Sequence, residues 1–126
     1  MVNIKQELEV AKKASEIAAA LLVDNKDNIN KILSNDGRDV KLKADLESER
    51  VIKDYLLSHS NFPILAEESG ANQDLADSFW VVDPLDGTSN YSRDFPMCCI
   101  SFALIHEYEI TLGVINDFNR GSLYEG

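Results

Sequence analysis

Apolar residues recur at helical spacing in two segments of the chain. In residues 3–23 they follow one helical face, with charged residues between them, at Ile4, Leu8, Ala11, Ala18, and Leu21 or Leu22. In a second segment, from about residue 45 to residue 58, the apolar positions are Leu46, Val51, Ile52, Tyr55 and Leu56. We therefore predict two helices, and Asp45 stands where the N-cap of the second helix belongs.

The remaining apolar segments are short and are typical of strands. We predict a hairpin over residues 29–43, turning at Asn35-Asp36-Gly37, because this turn is followed by alternating apolar and charged residues. Further strands are predicted over residues 62–66, from 79 onward, and over 97–105, 110–115 and 122–124, with a loop at 70–78. Together these elements predict an α+β fold, with two helices packed on an antiparallel sheet of about five or six strands.

The most informative stretch begins with the apolar run at residues 79–82, which predicts a buried strand. We expect this strand to stop at Asp83-Pro84, because proline cannot continue a central ladder. A second acid, Asp86, and then Gly87 and Thr88 follow. Glycine allows a backbone to approach a ligand closely, and carboxylates beside N–H donors suit Mg²⁺ holding a phosphate. On D-P-x-D-G alone, a simple polar turn fits equally well.

A further pair of acids, Glu67 and Glu68, follows the predicted strand at residues 62–66. If this strand neighbours the one before Asp83, then Glu67, Asp83 and Asp86 converge at one end of the sheet. Three close carboxylates repel one another, and a divalent cation would remove that repulsion. The alternative for Glu67 and Glu68 is an exposed acidic turn.

Three motifs resemble those of one protein family. The string WVVDPLDGTSNY, residues 80–91, resembles the first signature of the inositol monophosphatase family, which comprises Mg²⁺-dependent, lithium-sensitive sugar phosphatases. The segment Asp39–Asp45 is similar to the family's D-x-V-T-x-x-D, although the usual Thr is absent. The segment Ala66–Glu68 is similar to the family's G-E-E, with Ala66 in place of glycine.

The resemblance implies a set of Mg²⁺ ligands. Glu67, Asp83 and the backbone carbonyl of Leu85 would hold one Mg²⁺ ion, and Asp83 and Asp86 would share a second. Two such ions can activate a water molecule and stabilise the leaving alkoxide of a phosphate monoester.

The resemblance also implies the residues that act on the substrate. Glu67 and Thr88, the latter linked to Asp45, would orient or deprotonate the attacking water. The N–H groups of Gly87 and Thr88 would bind phosphate oxygens. The implied substrate contacts are Glu67, Leu85, Asp86, Gly87 and Thr88.

The length of the chain departs from the family pattern. Members are usually about twice as long, and their C-terminal half carries a second signature, W-D-x-A-A-G, which does not occur in these 126 residues. We therefore expect residues 1–126 to be the N-terminal metal-binding domain of such a phosphatase, a fragment of its α/β/α/β/α sandwich without the C-terminal domain. Such a fragment should hold the first ion better than the second and hydrolyse substrate poorly by itself. For the full-length protein we expect a homodimer.

Composition and charge limit the classes of partner. With 22 acidic against 12 basic residues, the net charge is −10, which argues against nucleic acid as a ligand. An acidic chain also repels an anionic substrate, so a bound cation would have to attract it. The first ten residues do not resemble a signal peptide, and no apolar run is long enough to span a bilayer. We therefore expect no membrane partner. Adjacent Cys98 and Cys99 are poor partners for each other and fit two reduced cysteines, so we expect a cytoplasmic location.

The sequence leaves the substrate open. Inositol monophosphate or a related sugar phosphate is the leading expectation. Bisphosphate nucleotidases of the family often carry Lys after D-G-T, where this chain has Ser89, and fructose-1,6-bisphosphatase activity is a further alternative. An alternative of another class is a non-catalytic interaction module that retains the fold.

Overall fold

The computed structural model describes residues 2–36 and 39–126. Over this part of the chain the helices are α1 (Ile4–Asp24), α2 (Lys26–Ile29), α3 (Lys43–His59) and α4 (Thr88–Ser92). The strands are β1 (Ile32–Asp36), β2 (Asp39–Leu42), β3 (Ile64–Ala66), β4 (Gly70–Ala71), β5 (Phe79–Asp86), β6 (Cys99–His106), β7 (Glu109–Asp117) and β8 (Ser122–Glu125). The α+β class and the two long helices, α1 and α3, are confirmed.

The main sheet has the strand order β4-β3-β5-β6-β7-β8. The prediction of a wholly antiparallel sheet is wrong in one respect, because β3 lies parallel to β5 while the other neighbours are antiparallel. In this parallel pair Ala66 is the partner of Val82. Glu67 is the next residue after β3 and Asp83 is the next residue along β5, so the two lie side by side beyond this pairing.

Both long helices pack on one face of this sheet, with α1 against β6 and β7 and α3 against β5. The apolar side chains between the two layers form one core, whose largest fully buried members include Trp80, Leu22, Ile52, Leu56, Ile100 and Leu104. Alternation along the strands turns other side chains to the opposite face, where Val81, Ile115 and Tyr124 are exposed. The helices therefore cover only one side of the sheet.

A buried hydrogen-bonded chain connects both long helices to the central strand. The indole Nε1 of Trp80 donates to Ser60 Oγ at 2.9 Å, and Ser60 Oγ donates to Glu7 Oε2 at 3.1 Å. Burial raises the pKa of Glu7, although the Ser60 hydrogen bond opposes the shift. This chain satisfies polar groups inside the core and lies away from the acids at the end of β3 and β5.

Strand β5 extends further than predicted. The prediction that it stops at Asp83-Pro84 is wrong, because β5 continues to Asp86. Its pairing with β6 shifts register between Asp83 and Asp86, so Pro84 falls at an irregularity where its missing N–H costs no regular ladder bond.

The predicted N-cap of α3 is also wrong. The helix begins at Lys43 with Leu42 as its N-cap, and Asp45 is the third helical residue. The Asp45 side chain instead reaches back and accepts a hydrogen bond from the Leu42 N–H at 2.8 Å. One oxygen of Asp45 therefore accepts from the N–H of the N-cap residue, although Asp45 itself lies in the first turn of the helix.

The remaining differences are local. The hairpin of β1 and β2 is confirmed, but Ile29 belongs to α2, and Gly37 of its predicted turn lies outside the described residues. The predicted loop at 70–78 begins with the short strand β4. Among the described residues, no helix is both long and apolar enough to cross a membrane.

Candidate active site

Two acidic side chains meet beside the end of β3: Glu67 follows this strand, and Asp83 lies in the adjacent strand β5. The side chain of Glu67 interacts with that of Asp83, and this interaction, followed by burial, raises the pKa of Glu67 to about 7. The charges of Glu68 and Asp45 act in the same direction. Without a cation the pair therefore retains a proton near neutral pH, as expected for two carboxyls that share one site.

A second group of contacts lies beside this pair and is centred on Thr88. Its hydroxyl lies 2.8 Å from Asp45 Oδ1, to which it donates, and 3.1 Å from the carbonyl oxygen of Leu85. Asp45 is only 2% exposed, and its other oxygen accepts from Leu42. Burial raises the pKa of Asp45, the two hydrogen bonds oppose this shift, and the charges of Glu68 and Asp83 add to it. Asp83 is close enough to Asp45 for its charge to raise the pKa of Asp45. The contacts of Thr88 and the pair formed by Glu67 and Asp83 therefore lie in one region.

The turn between β5 and α4 requires glycine at position 87. Gly87 has φ of 89°, in the left-handed region, and a Cβ built there would lie 2.6 Å from the backbone oxygen of Met97. Only a residue without a side chain allows the chain to pass Met97 this closely. The glycine thereby fixes the path of the backbone from Asp86 to Thr88.

Asp86 is placed differently from the other acids. Its side chain is exposed, its Oδ2 lies 3.9 Å from Cys99 Sγ, and it lines an open groove of about 490 Å³ together with Gly87 and Asn90. In residues 2–36 and 39–126, no three His, Cys, Asp or Glu side chains form a group that could hold a metal ion. The structure thus joins Glu67 to Asp83, and Asp45 to Thr88 and the Leu85 carbonyl. It records no contact of Asp86 with either set of described residues.

The donors at this site fit Mg²⁺ nonetheless. Mg²⁺ prefers hard oxygen ligands and usually keeps several waters, binding through one or two carboxylates and substrate phosphate. Glu67 and Asp83 supply two carboxylates whose mutual repulsion a cation would relieve. A set of only two close carboxylates is therefore sufficient for this ion.

Glu68 has a different environment from its neighbour Glu67. Its carboxylate lies 3.2 Å from Lys41 Nζ on β2, and its side chain is only 7% exposed. This ion pair turns Glu68 toward the hairpin while Glu67 contacts Asp83. The two adjacent acids therefore have different partners, Lys41 for Glu68 and Asp83 for Glu67.

Sequence reasoning missed two polar residues of α3. The hydroxyl of Ser48 donates to the carbonyl oxygen of Pro84 at 2.7 Å, and Glu49 Oε1 accepts from the N–H of Glu68 at 2.9 Å. Both side chains are buried. Their spacing could have indicated that they face the core. They lie three and four residues after Asp45, on the side of the helix where Ile52 and Leu56 follow.

Comparisons with known proteins give consistent results. The model of the inositol monophosphatase family matches residues 3–126. A relative named Nus factor SuhB from Xylella fastidiosa is 36% identical over 123 residues, which are 95% of this chain and 44% of that protein. A relative named fructose-1,6-bisphosphatase/inositol-1-monophosphatase, from Aquifex aeolicus, is 34% identical over 120 residues, 91% of this chain and 45% of that protein.

A solved structure agrees with these matches. The inositol monophosphatase of Anabaena (Nostoc) sp. PCC 7120 superposes with a TM-score of 0.82 and 31% identity, covering 99% of this chain and 45% of that one. The chain thus spans about half the length of the relatives it matches.

Proposed function

From the premise that this chain belongs to the inositol monophosphatase family, we propose that it is the N-terminal metal-binding part of a Mg²⁺-dependent phosphate monoester hydrolase. The proposed substrate is inositol monophosphate or a related sugar phosphate. Because the chain spans about half the length of its relatives, the complete reaction is proposed for the whole protein, and this part alone is expected to turn over poorly.

The observation that carries this proposal is the contact between the carboxyls of Glu67 and Asp83. These side chains come from strands that are separate in sequence and adjacent in space. Above neutral pH, where both carboxyls are ionised, a fold gains no stability from holding them together, since their repulsion opposes folding. Such a pair is therefore best explained by a ligand that needs both carboxylates, and perturbed acids of this kind cluster at functional sites.

The ligand that we propose is Mg²⁺, on which the family generally depends. Glu67, Asp83 and the Leu85 carbonyl would hold one ion, and Asp83 with Asp86 would contribute to a second. Bound Mg²⁺ supplies Lewis-acid activation of water and neutralises charge on the phosphate. Lithium sensitivity is proposed with it, from the family resemblance.

The chain's own groups have separate proposed tasks. Glu67, which would also hold the first ion, would take the proton of the attacking water, as the family resemblance implies. The hydroxyl of Thr88, held by Asp45 at 2.8 Å, would orient that water. The N–H groups of Gly87 and Thr88 would bind phosphate oxygens, as the family resemblance implies.

The experiment combines Mg²⁺ calorimetry with a phosphate-release assay on inositol 1-phosphate, fructose 1,6-bisphosphate and a nucleoside bisphosphate. We expect this chain to bind Mg²⁺ with little turnover, and turnover to rise when a polypeptide covering the rest of the family fold is added. Release from inositol 1-phosphate above the other two would support the proposed substrate. No Mg²⁺ binding would reject the proposal and favour a non-catalytic interaction module.

Other properties of the whole protein are proposed on the same basis. They are a small phosphate ester as its partner, a cytoplasmic location and a homodimer. Analytical ultracentrifugation of the full-length protein tests the last of these.

A further inference from the structure

We infer that Ser48 and Glu49 are positioning residues, which hold the backbones behind Asp83 and Glu67 so that the two carboxylates are pre-arranged for a divalent cation. The inference rests on the proposed function, because it concerns the same site. It assigns a task to two residues of α3 that are not themselves in contact with the proposed ion.

The buried face of α3 begins with polar residues. Asp45, Ser48 and Glu49 lie on one side of the helix and are 2%, 0% and 5% exposed. One and two turns later the same side continues with the apolar residues Ile52 and Leu56, both fully buried. Buried polar groups are costly unless they are hydrogen-bonded, so this polar end of the stripe needs partners outside the helix.

The partners of Ser48 and Glu49 are backbone groups next to the two acids. Ser48 Oγ donates to the Pro84 carbonyl at 2.7 Å, and Glu49 Oε1 accepts from the Glu68 N–H at 2.9 Å. Pro84 directly follows Asp83, and Glu68 directly follows Glu67. The residue after each of the two acids, Asp83 and Glu67, is thus hydrogen-bonded through its backbone to a side chain of α3.

The strand pairing is short or irregular at both of these backbones. Strand β3 has three residues and ends at Ala66, so Glu67 and Glu68 lie in the turn beyond it. Pro84 lies in the register shift between β5 and β6 and has no N–H. Glu49 and Ser48 therefore provide the acceptor and the donor where the sheet ladder is short or irregular.

Ser48 and Glu49 are consecutive residues of one helix, α3. Their separation is fixed by the helix backbone, so the two backbones they bind are held at a fixed spacing. Partners outside the ligand shell orient the ligands, and their loss typically weakens metal affinity about 10–100-fold. A loss of this kind should arise here without removal of any proposed ligand.

The test uses three substitutions in the 126-residue chain and Mg²⁺ calorimetry. Ser48→Ala removes the donor to Pro84. Glu49→Asp keeps the charge but shortens the side chain, so that it no longer reaches Glu68. Glu49→Gln removes the charge but keeps an oxygen at the same length, which can still accept from the Glu68 N–H.

Positioning predicts that Ser48→Ala and Glu49→Asp weaken Mg²⁺ affinity about 10-fold, whereas Glu49→Gln stays near wild type. The opposite order at position 49, with Asp near wild type and Gln weakened, would mean that only the charge of Glu49 matters and would overturn the inference. Wild-type affinity in both Ser48→Ala and Glu49→Asp would overturn it as well.

Matched controls come from the other long helix. Ser15 is fully buried with its hydroxyl donating to Lys12 O, and Glu7 is a buried acid bound by Ser60. Ser15→Ala and Glu7→Asp should lower thermal stability while leaving Mg²⁺ affinity unchanged. An equal loss of affinity in these controls would show a general effect of destabilisation and would overturn the inference.

A metal-free measurement separates this inference from the proposed function. In ¹⁵N spectra recorded with a chelator, the amide of Glu68 should shift and exchange faster in Glu49→Asp and stay close to wild type in Glu49→Gln. An unchanged Glu68 amide in both would overturn the inference. If the wild-type chain does not bind Mg²⁺, both the proposed function and this inference are rejected. If the wild-type chain binds Mg²⁺ and none of the substitutions changes its affinity, only this inference is rejected.

Discussion

The side chains of Glu67 and Asp83 interact across the parallel pair formed by β3 and β5, and this interaction is the main cause of the raised pKa of Glu67. The strand partners Ala66 and Val82 come immediately before these acids, so the sheet itself sets their separation. One proton shared between two carboxyls and one cation bound between them are alternative ways to relieve the same repulsion. Metal affinity, pH and stability should therefore be linked at this site.

Asp83→Asn should abolish the stabilisation of the chain by Mg²⁺. The substitution removes the carboxylate that both proposed ions share, and an amide is a weaker ligand. Thermal unfolding with and without Mg²⁺ measures the effect, and Asp74→Asn, in the exposed segment before β5, is the matched control. A metal-induced shift in Asp83→Asn equal to that of wild type would exclude Asp83 as a ligand.

The stability of the metal-free chain should fall as pH rises toward neutrality. The folded state raises the pKa of Glu67 from 4.5 to about 7, so it favours the protonated form. This contribution to stability is fully present below pH 4.5 and is lost as pH rises through about 7. Mg²⁺ affinity should rise over the same range, because the ion displaces the proton.

Melting temperatures of wild type and Glu67→Gln, measured with a chelator between pH 4 and 8, test this linkage. Glu7 and Asp45 also have raised pKa values and contribute in the same direction in both proteins. The difference between the two curves therefore isolates Glu67. A difference that does not change with pH would contradict a shared proton at Glu67.

The sequence predicted the parts of this fold that depend on local patterns. The helical spacing of residues 3–23 identified α1, and the apolar run before Asp83 identified β5. The parallel pairing of β3 with β5 was not predictable, since strand order depends on contacts between distant segments. Helix α4, with five residues, was too short to give a periodic signal.

The structure brings together part of the set of site residues that the resemblance implies, and the roles of these residues stay predictions. The resemblance pointed to Glu67, Asp83, Thr88 and Asp45, and the structure records contacts among them. Sequence reasoning missed Ser48 and Glu49 because a polar residue beside an apolar stripe is ordinarily solvent-exposed. Only the positions of their partners in the folded chain show why they are buried.

Thr88→Val should destabilise the chain by about 1–3 kcal/mol, because it leaves the buried Asp45 carboxylate without one of its two donors. Thr88→Ser keeps the hydroxyl and is expected to cost less. Urea unfolding at pH 7 measures both. Equal stability of the two variants would show that the hydroxyl does not support Asp45, and the proposed orientation of water by Thr88 would lose its structural basis.

Gly87→Ala should destabilise the chain more than Gly121→Ala. Both glycines have positive φ, of 89° and 67°, so alanine pays the left-handed cost of about 1–2 kcal/mol at either position. A Cβ at Gly121 meets nothing within 4 Å, whereas at Gly87 it would lie 2.6 Å from the backbone oxygen of Met97. The difference between the two unfolding free energies therefore isolates the close approach at Gly87.

Urea unfolding of the two alanine variants measures this difference. Relief of the contact at Gly87 requires the backbone between Asp86 and Thr88 to move, so Gly87→Ala should also weaken Mg²⁺-dependent stabilisation, and Gly121→Ala should not. Equal losses of stability would show that the turn at Gly87 relaxes freely. The backbone of Gly87 and Thr88 would then be too adaptable to hold phosphate oxygens in a fixed position.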